Sequence, residues 1–396
     1  MNRQLTRPYR ICSVLIILCQ IFAITVAGTV AAIQPTPQLA QEAASTLGLP
    51  GWLAGSVAGQ AAQLFGAPHT ALAQATSPGG VNTNLLAWYK ADAGVEKSGG
   101  AATEGGLVDV WRDQGGNSND ATQGAPANQP TFRANRANFN PAIEAPLGPQ
   151  VLNTPLNINA GIHPALSVLA VYRPTDLNND NQSGAVWGED DGGFDRFIND
   201  VNFDGCLSSV TTGSGCSSVP NLYVENVWSL SSVVFAEDVA NGSAVYVNGL
   251  SEHIFTSDHA PETSNPLSIL NDGDDSFYQG DVTEVIVYNS LLTTANQRQR
   301  IESYLAVKYG LTLGNTTTPV NYLDSGSTTV WTGSATYQND VAGIGRDDAA
   351  ALSQKQSKSV NSGALVTVGL GTIAADNASN PNTFAADKSF LVWGND

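Results

Sequence analysis

The sequence predicts an all-β protein organised as a sandwich of two antiparallel sheets. Charged residues make up only 13% of the 396 residues and 39 residues are glycine, a balance typical of loop-rich extracellular β proteins. From Val81 to about Leu313, short apolar runs alternate with clusters of turn residues. Many short strands separated by regular turns favour a β-sandwich.

The N-terminus has the organisation of an export signal. Three arginines within the first ten residues precede an apolar run over residues 11–33, which is the order found in secretory signal peptides. The run is also long enough for an uncleaved membrane anchor, so residues 1–33 are predicted to be one or the other. Residues 34–80 are predicted to be a low-complexity leader or linker. The protein is therefore expected to be secreted or held at the cell surface.

Strands follow one another from residue 85 onward. Leu85–Tyr89 and Leu107–Trp111 have the composition of strands. Leu166–Tyr172 is apolar on both faces, as expected for a central strand of a sandwich. Ala244–Gly249 ends in Asn-Gly, a strong local indication of a hairpin. Four tryptophans in this region are predicted to be core anchors rather than exposed sugar platforms: Trp88, Trp111, Trp187 and Trp228.

The segment from residue 280 to 310 combines one strand with one helix. Val282–Val287 is an apolar run of strand length, rich in β-branched residues. Thr294 followed by Gln297 predicts a capping box at the start of the helix, and Gly310 predicts its end. The apolar stripe of this helix consists of Ile301, Tyr304 and Leu305.

Four sequence pieces together resemble bacterial laminin-G-like (concanavalin A-like) domains. They are LLAWYKADAGV from residue 85, VWRDQGGNSNDATQ from residue 110, HPALSVLAVYRP from residue 163, and the closing strand and helix. The resemblance implies a concanavalin A-like jelly-roll β-sandwich over residues 81–313 with one C-terminal helix. It also implies a domain that binds ligands rather than catalyses, and several relatives hold calcium at the sandwich rim.

The character of the chain changes after residue 313. A polar linker is followed by new short strands, and this region resembles an uncharacterised β-rich domain of bacterial surface proteins. A second β-domain is therefore predicted over residues 314–396 and is expected to continue past Asp396. The matching pieces are Thr329–Trp331, Asn339–Asp348, Gln354–Val360 and Val366–Gly371.

The charge of the protein restricts its partners. A net charge of −18, with no cluster of Lys and Arg, argues against nucleic acid and against anionic membrane surfaces. Contact with a membrane is expected only through an uncleaved N-terminal segment. The expected partner is an extracellular glycan or protein ligand, and the acidic loops leave room for a bound cation.

One loop resembles the start of a calcium-binding loop. Asp200, Asn202, Asp204 and Gly205 match the first six positions of an EF-hand, where alternating oxygens and a glycine turn suit a hard cation. Thr211 stands where the bidentate glutamate is needed, so a strand that enters an Asp-Gly turn remains the alternative. Calcium is the cofactor predicted for these loops, and weaker candidate ligands lie in two further acidic clusters: Asp190, Asp191, Asp272 and Asp274.

Two cysteines remain beyond the leader, Cys206 and Cys216, ten residues apart in a loop rich in Gly and Ser. In an exported protein such a pair predicts a disulfide.

The sequence offers no pattern for catalysis. Concanavalin-like glycosidases need alternating carboxylates, whereas Glu189, Asp190 and Asp191 are followed by Gly-Gly-Phe. No nucleophile elbow occurs, and the histidines lack metal-binding spacing. The prediction is therefore a non-catalytic exported surface protein whose sandwich binds a glycan or protein ligand, with calcium assisting. Two alternatives remain: an accessory module of a larger secreted hydrolase, or a structural spacer in an adhesin stalk.

Overall fold

The computed structural model describes residues 76–146, 148–177, 184–190, 194–200, 205–260, 266–273, 277–293 and 296–396. They belong to one compact unit, Ala75–Asp396. The predicted signal peptide or anchor, and the linker as far as residue 75, lie outside the described residues. None of the helices that the described residues form is long and apolar enough to cross a membrane.

The described chain is built almost entirely from short strands. The first nine are β1 (Leu85–Lys90), β2 (Val95–Lys97), β3 (Gly100–Ala101), β4 (Val110–Trp111), β5 (Ala121–Thr122), β6 (Thr131–Ala137), β7 (Asn140–Ala145), β8 (Leu152–Asn157) and β9 (Ala165–Pro174). The next nine are β10 (Ala185–Gly188), β11 (Phe197–Asn199), β12 (Ser209–Thr211), β13 (Cys216–Ser218), β14 (Ser229–Ala236), β15 (Ser243–Val247), β16 (Leu250–Phe255), β17 (Pro266–Ile269) and β18 (Gly280–Tyr288). The helix α1 (Gln297–Tyr309) follows, and then come β19 (Tyr322–Leu323), β20 (Thr329–Trp331), β21 (Asn339–Asp347), β22 (Leu352–Gln354), β23 (Gln356–Lys358), β24 (Thr367–Gly369) and β25 (Ser389–Asn395). Two short 3₁₀ turns occupy Pro78–Gly80 and Pro126–Asn128.

Two large antiparallel sheets form the sandwich. Among the described residues, sheet A has eight strands in the order β16-β15-β14-β9-β18-β7-β6, with β1 also pairing with β18. Sheet B has ten strands in the order β13-β12-β11-β10-β17-β8-β5-β4-β2-β3. Their facing sides share one apolar core that includes Trp111, Trp187 and Phe235. The prediction of an all-β sandwich with one C-terminal helix is confirmed.

Several strands lie where the sequence predicts them. The first strand and the central strand occupy β1 and β9, whereas the strand predicted from Leu107 begins only at Val110. The hairpin between β15 and β16 turns at Asn248 and Gly249, whose φ angles of 47° and 81° are both positive. A two-residue turn with both φ positive matches the right-handed twist of the flanking strands. All four tryptophans are buried, with exposed fractions of 7% or less.

The closing helix confirms one predicted boundary and corrects the other. Gly310 ends α1 in the left-handed region at φ 68°, and its N–H donates to Ala306 O. A Cβ on this glycine would lie 2.3 Å from Lys358 O, so the position requires glycine. The predicted capping box is wrong, because α1 begins at Gln297, which is its first residue and not its third. Thr294 itself lies outside the described residues.

The outer face of sheet A is covered by α1 and by strands that follow it. A second apolar cluster joins the sheet to the helix and to the C-terminal segment. Its members include Trp88, Leu169 and Ile286 from the sheet, Ile301 and Leu305 from α1, and Tyr322, Val341 and Leu352 from the C-terminal strands. These C-terminal strands form a β22-β21-β25 sheet and the pairs β19-β20 and β23-β24. One outer face of the sandwich is therefore closed by the chain itself.

Candidate functional site

The outer face of sheet B carries a row of small polar side chains in two halves. Inward-facing residues of these strands, such as Ile198 and Val210, belong to the core, and their neighbours must face outward because side chains alternate along a strand. Strand register places the outward residues side by side, with Ala185 and Gly188 of β10 between the two halves of the row. We call this set the polar row: Ser218, Ser209, Asn199, Ser268, Asn153 and Thr122.

The polar row is open at its ends and covered in its middle. Thr122, Asn153 and Ser218 are exposed, while the other three members are buried. The Ser268 hydroxyl donates to Asn153 Oδ1 at 3.1 Å. Within the described part of the chain, no hydrogen bond engages the Nδ2 amide of Asn153, which therefore keeps two donors. The accessible part of the row thus offers hydroxyl and amide groups to solvent.

Two of the predicted acidic residues lie close together beside this face. Asp190 follows β10, and a Cβ on Gly273 would lie 3.0 Å from Asp190 O. Asp272 is buried, and its Cα and Cβ lie 3.0 Å from where a Cβ of Gly188 would stand. The loop after β17 therefore folds back over the end of β10 and brings Asp190 and Asp272 to one corner of sheet B.

Asp200 lies at the opposite end of β10. It is buried, and its Oδ1 accepts a hydrogen bond from Gly184 N at 2.7 Å. Burial, with smaller contributions from Tyr172 and Asp200, raises the pKa of Tyr223 well above its usual value. Asp200 therefore borders the tyrosines of the core and is not in the corner of the other two predicted acids.

The remaining predicted calcium ligands, Asn202, Asp204, Asp191 and Asp274, lie outside the described residues. Among the residues that the structure does describe, no group of three or more His, Cys, Asp or Glu is arranged to hold a metal ion. Calcium binding stays a prediction.

The predicted disulfide is confirmed. Cys206 and Cys216 are bonded, with their Cα atoms 6.1 Å apart. The bond ties the first residue of β13 to the turn before β12, where Leu207 N also donates to Ser218 Oγ at 3.0 Å. The disulfide therefore anchors the end of the polar row at Ser218.

A buried polar cluster at the end of β14 escaped sequence analysis. We call Arg196, Glu237, Ser257 and His259 the Glu237 cluster. Glu237 Oε1 accepts from Arg196 Nη2 at 2.6 Å and from the Ser257 hydroxyl at 2.7 Å, and it lies 3.1 Å from His259 Nδ1. Burial alone would raise the pKa of Glu237, but the hydrogen bond and charge of His259, the charge of Arg196 and the hydrogen bond of Ser257 lower it to about 2. The only sequence indication was the presence of Arg and Glu within apolar strand patterns.

The Glu237 cluster lacks the arrangement of a nucleophilic triad. Such a triad needs the acid on one ring nitrogen of histidine and the serine on the other. Here both Glu237 and Ser257 contact Nδ1 of His259, and Ser257 is fully buried. The cluster instead joins β11, β14 and the chain after β16, and so fixes the strand that carries Asn199.

A second buried network, the Glu284 network, lies under α1. Glu284 is fully buried on β18 and accepts hydrogen bonds from Trp88 Nε1 at 2.6 Å, Tyr304 OH at 2.9 Å, Tyr309 OH at 2.7 Å and Lys308 Nζ at 2.9 Å. Burial and the charge of Glu284 raise the pKa of Tyr304 well above its usual value. The network attaches α1 to sheet A. The sequence indicated this network only through the single Glu within the apolar run of β18.

Residues 297–396 match the family described as Domain of unknown function (DUF8202). The match begins with the first residue of α1 and includes β19 to β25, which supports the prediction that the C-terminal region belongs to an uncharacterised family. It includes none of the sandwich strands, so the resemblance of residues 81–313 to laminin-G-like domains stays a prediction. No curated protein matches the chain.

Parts of several solved structures are similar to this chain. The Trypanosoma rangeli sialidase in complex with sialic acid is 14% identical with a TM-score of 0.33, over 56% of this chain and 33% of the sialidase. Domain 4 of a GH43 extracellular arabinanase from Geobacillus stearothermophilus, in complex with arabinotriose, is 18% identical with a TM-score of 0.32, over 52% of this chain and 92% of that domain. The botulinum neurotoxin serotype D binding domain is 11% identical with a TM-score of 0.40, over 58% and 53%. This chain spans about a third of the length of the sialidase, and similarities of this size carry no argument about function.

Proposed function

We propose that this chain is a non-catalytic exported surface protein whose sandwich binds a glycan at the outer face of sheet B. The observation that carries the proposal is the polar row, whose members Thr122, Asn153 and Ser218 are exposed. Sugars present many hydroxyl groups, and a face of hydroxyls and amides supplies matching donors and acceptors. The opposite outer face, on sheet A, is occupied by α1 and the C-terminal strands.

The chemistry of the row supports binding rather than hydrolysis. Glycoside hydrolysis needs a pair of carboxyl groups on either side of the scissile bond. The row consists of Ser, Asn and Thr, which bind sugars but do not supply that acid and base. An exported location rests on the basic and apolar N-terminal residues.

Calcium is proposed as an aid to binding, because two acidic loops meet at Asp190 and Asp272 beside the row. If calcium binds, it should raise the melting temperature of the purified protein. Asp190→Asn should reduce that shift if the site is where the two loops meet, whereas Asp204→Ala should abolish it if the loop that begins at Asp200 is the site. A melting curve that calcium leaves unchanged would refute this part of the proposal.

The binding proposal is tested on a glycan array, followed by calorimetric titration of the best ligand. Asn153→Ala removes an exposed amide from the row and should weaken binding about tenfold, or about 1.4 kcal/mol. Ser251→Ala is the matched control, since Ser251 is exposed on the edge strand of sheet A, and it should leave affinity unchanged. Failure of every glycan to bind would overturn the proposal. A protein ligand would then support the alternative partner, and no ligand of either kind would support the spacer hypothesis.

A further inference from the structure

We infer that the ligand of the polar row is a glycan without acidic groups, and that the site excludes sugars bearing carboxylate, sulfate or phosphate. This inference rests on the proposed function and goes further by naming the chemical class of the ligand. It depends on where the cationic side chains of this protein lie relative to the row.

The cations are segregated away from the row. The chain has 17 Lys and Arg, of which three lie in the first ten residues, so 14 remain in the described part. Eleven of these lie on sheet A, on α1 or in the C-terminal segment: Lys90, Arg133, Arg136, Arg173, Arg298, Arg300, Lys308, Arg346, Lys355, Lys358 and Lys388. An acidic ligand on sheet B would therefore find few counter-charges.

The three remaining cations are already neutralised. Arg196 is fully buried and paired with Glu237 at 2.6 Å. Lys97 bonds Gln129 at 2.6 Å and lies 3.6 Å from Asp109. Neither side chain is placed to meet a ligand on the row.

Arg112 is the cation nearest the exposed end of the row, since it follows β4, which pairs with β5. Its guanidinium binds Glu96 at 2.7 Å and Asp120 at 2.7 Å. Two carboxylates surround one guanidinium, so this corner carries net negative charge. The hydrogen bonds that the guanidinium of Arg112 donates to Glu96 and Asp120 raise the pKa of Arg112.

Acidic side chains border the row on the other side as well. Asp190 and Asp272 lie together at one end of β10, which runs between the two halves of the row. Without bound calcium, the charged groups near the row are therefore net negative, and an anionic sugar meets repulsion with no guanidinium or ammonium group to offset it. A neutral sugar meets only hydroxyl and amide partners.

The test compares two oligosaccharides that differ only in whether a sugar carries a neutral hydroxymethyl group or a carboxylate. Binding of both to the full chain is measured by calorimetry with and without calcium, at low salt and at about 150 mM salt; the repulsion is judged from the calcium-free series. We expect the acidic form to bind at least tenfold more weakly at low salt, with the ratio shrinking as salt screens the repulsion. Asn153→Ala should weaken the neutral ligand, which confirms that binding occurs at the row.

A charge-insertion variant sharpens the test. Thr122→Lys places a cation on the exposed end of the row and should reduce the ratio of neutral to acidic oligosaccharide affinity at least threefold. Ser251→Lys on sheet A should leave that ratio unchanged. Melting curves confirm that each variant is folded, and if Thr122→Lys is not, the salt dependence measured on the parent protein decides the test. Equal or tighter Asn153-dependent binding of the acidic form overturns the inference and leaves the proposed function standing. Absence of binding by every glycan overturns both.

Discussion

Removing the charge of Glu284 should loosen the attachment of α1 to sheet A. Its carboxylate is fully buried and accepts hydrogen bonds from Trp88, Tyr304, Tyr309 and Lys308. Glu284→Gln keeps the shape of the side chain but leaves the ammonium of Lys308 with one carboxylate partner fewer. Loss of one member of a buried ion pair costs about 3 to 5 kcal/mol. Since Lys308 retains Asp92 at 2.9 Å, we expect the lower end, about 3 kcal/mol.

The assay is urea denaturation followed by far-UV circular dichroism at pH 7. A loss of about 3 kcal/mol is a large part of the total for a typical domain, so the midpoint should move clearly. Glu252→Gln is the matched control, because Glu252 lies half-buried on the edge strand β16, and it should change stability by less than about 0.5 kcal/mol.

A double-mutant cycle identifies the interaction responsible. Lys308→Met removes the cation while keeping an apolar side chain, and the Glu284→Gln/Lys308→Met pair should recover at least about 1 kcal/mol relative to additivity. Loss of less than about 1 kcal/mol in Glu284→Gln, or strict additivity in the pair, would refute the reasoning. The first outcome would mean that the hydrogen bonds alone hold the helix, and the second that the charges act independently.

Three further perturbations probe single features of the fold. Gly310→Ala puts a side chain at a positive φ against a backbone oxygen and should cost about 2 kcal/mol in urea denaturation. Gly363→Ala is the control and should be close to neutral, because open space surrounds its new Cβ. Equal losses of stability in the two variants would contradict this prediction. Glu237 has a pKa lowered from 4.5 to about 2 in the folded protein. Above pH ~4.5 its carboxylate should therefore contribute about 2 kcal/mol to the free energy of unfolding, which is less than the full linkage value because of solvent screening. This contribution is lost as the pH falls toward ~2. The stability gap between the parent and Glu237→Gln, measured from pH 7 to pH 3, should therefore close on acidification, and a constant gap would refute this assignment. Replacing Cys206 and Cys216 with serine opens a loop with a sequence separation of 10 and should lower stability by about 3 kcal/mol by loop entropy; an unchanged urea midpoint would show that the bond adds nothing.

Features encoded by a few adjacent residues were predictable from the sequence. The Asn248-Gly249 turn and the glycine that ends α1 both follow from positive φ angles that few other residues adopt. The disulfide followed from the even number of cysteines beyond the leader in a chain with a predicted export signal. The start of α1 was not predictable in this way, because the packing of the helix on sheet A decides which residue becomes the first one in the helix.

The candidate site depends on contacts that the sequence does not reveal. The acidic loops could be recognised by composition, but only strand pairing shows that Asp190 and Asp200 fall at opposite ends of β10. The polar row needs the register of strands far apart in the chain: Thr122 pairs with Asn153, and Asn153 with Ser268. In the same way, Glu237 and Arg196 are 41 residues apart in sequence, so the sequence gives no indication that they pair.

The placement of α1 explains why ligand binding is assigned to sheet B. The helix and the C-terminal strands bury apolar residues such as Ile301 and Leu305 against Trp88 and Ile286 of sheet A, and burying apolar surface is the dominant favourable term in folding. A ligand on that face would have to displace this contact and the Glu284 network together. Sheet B requires no such displacement at Asn153, where exposed polar groups already face solvent. The fold thus uses one outer face for stability and leaves part of the other exposed to solvent, where the proposed ligand would bind.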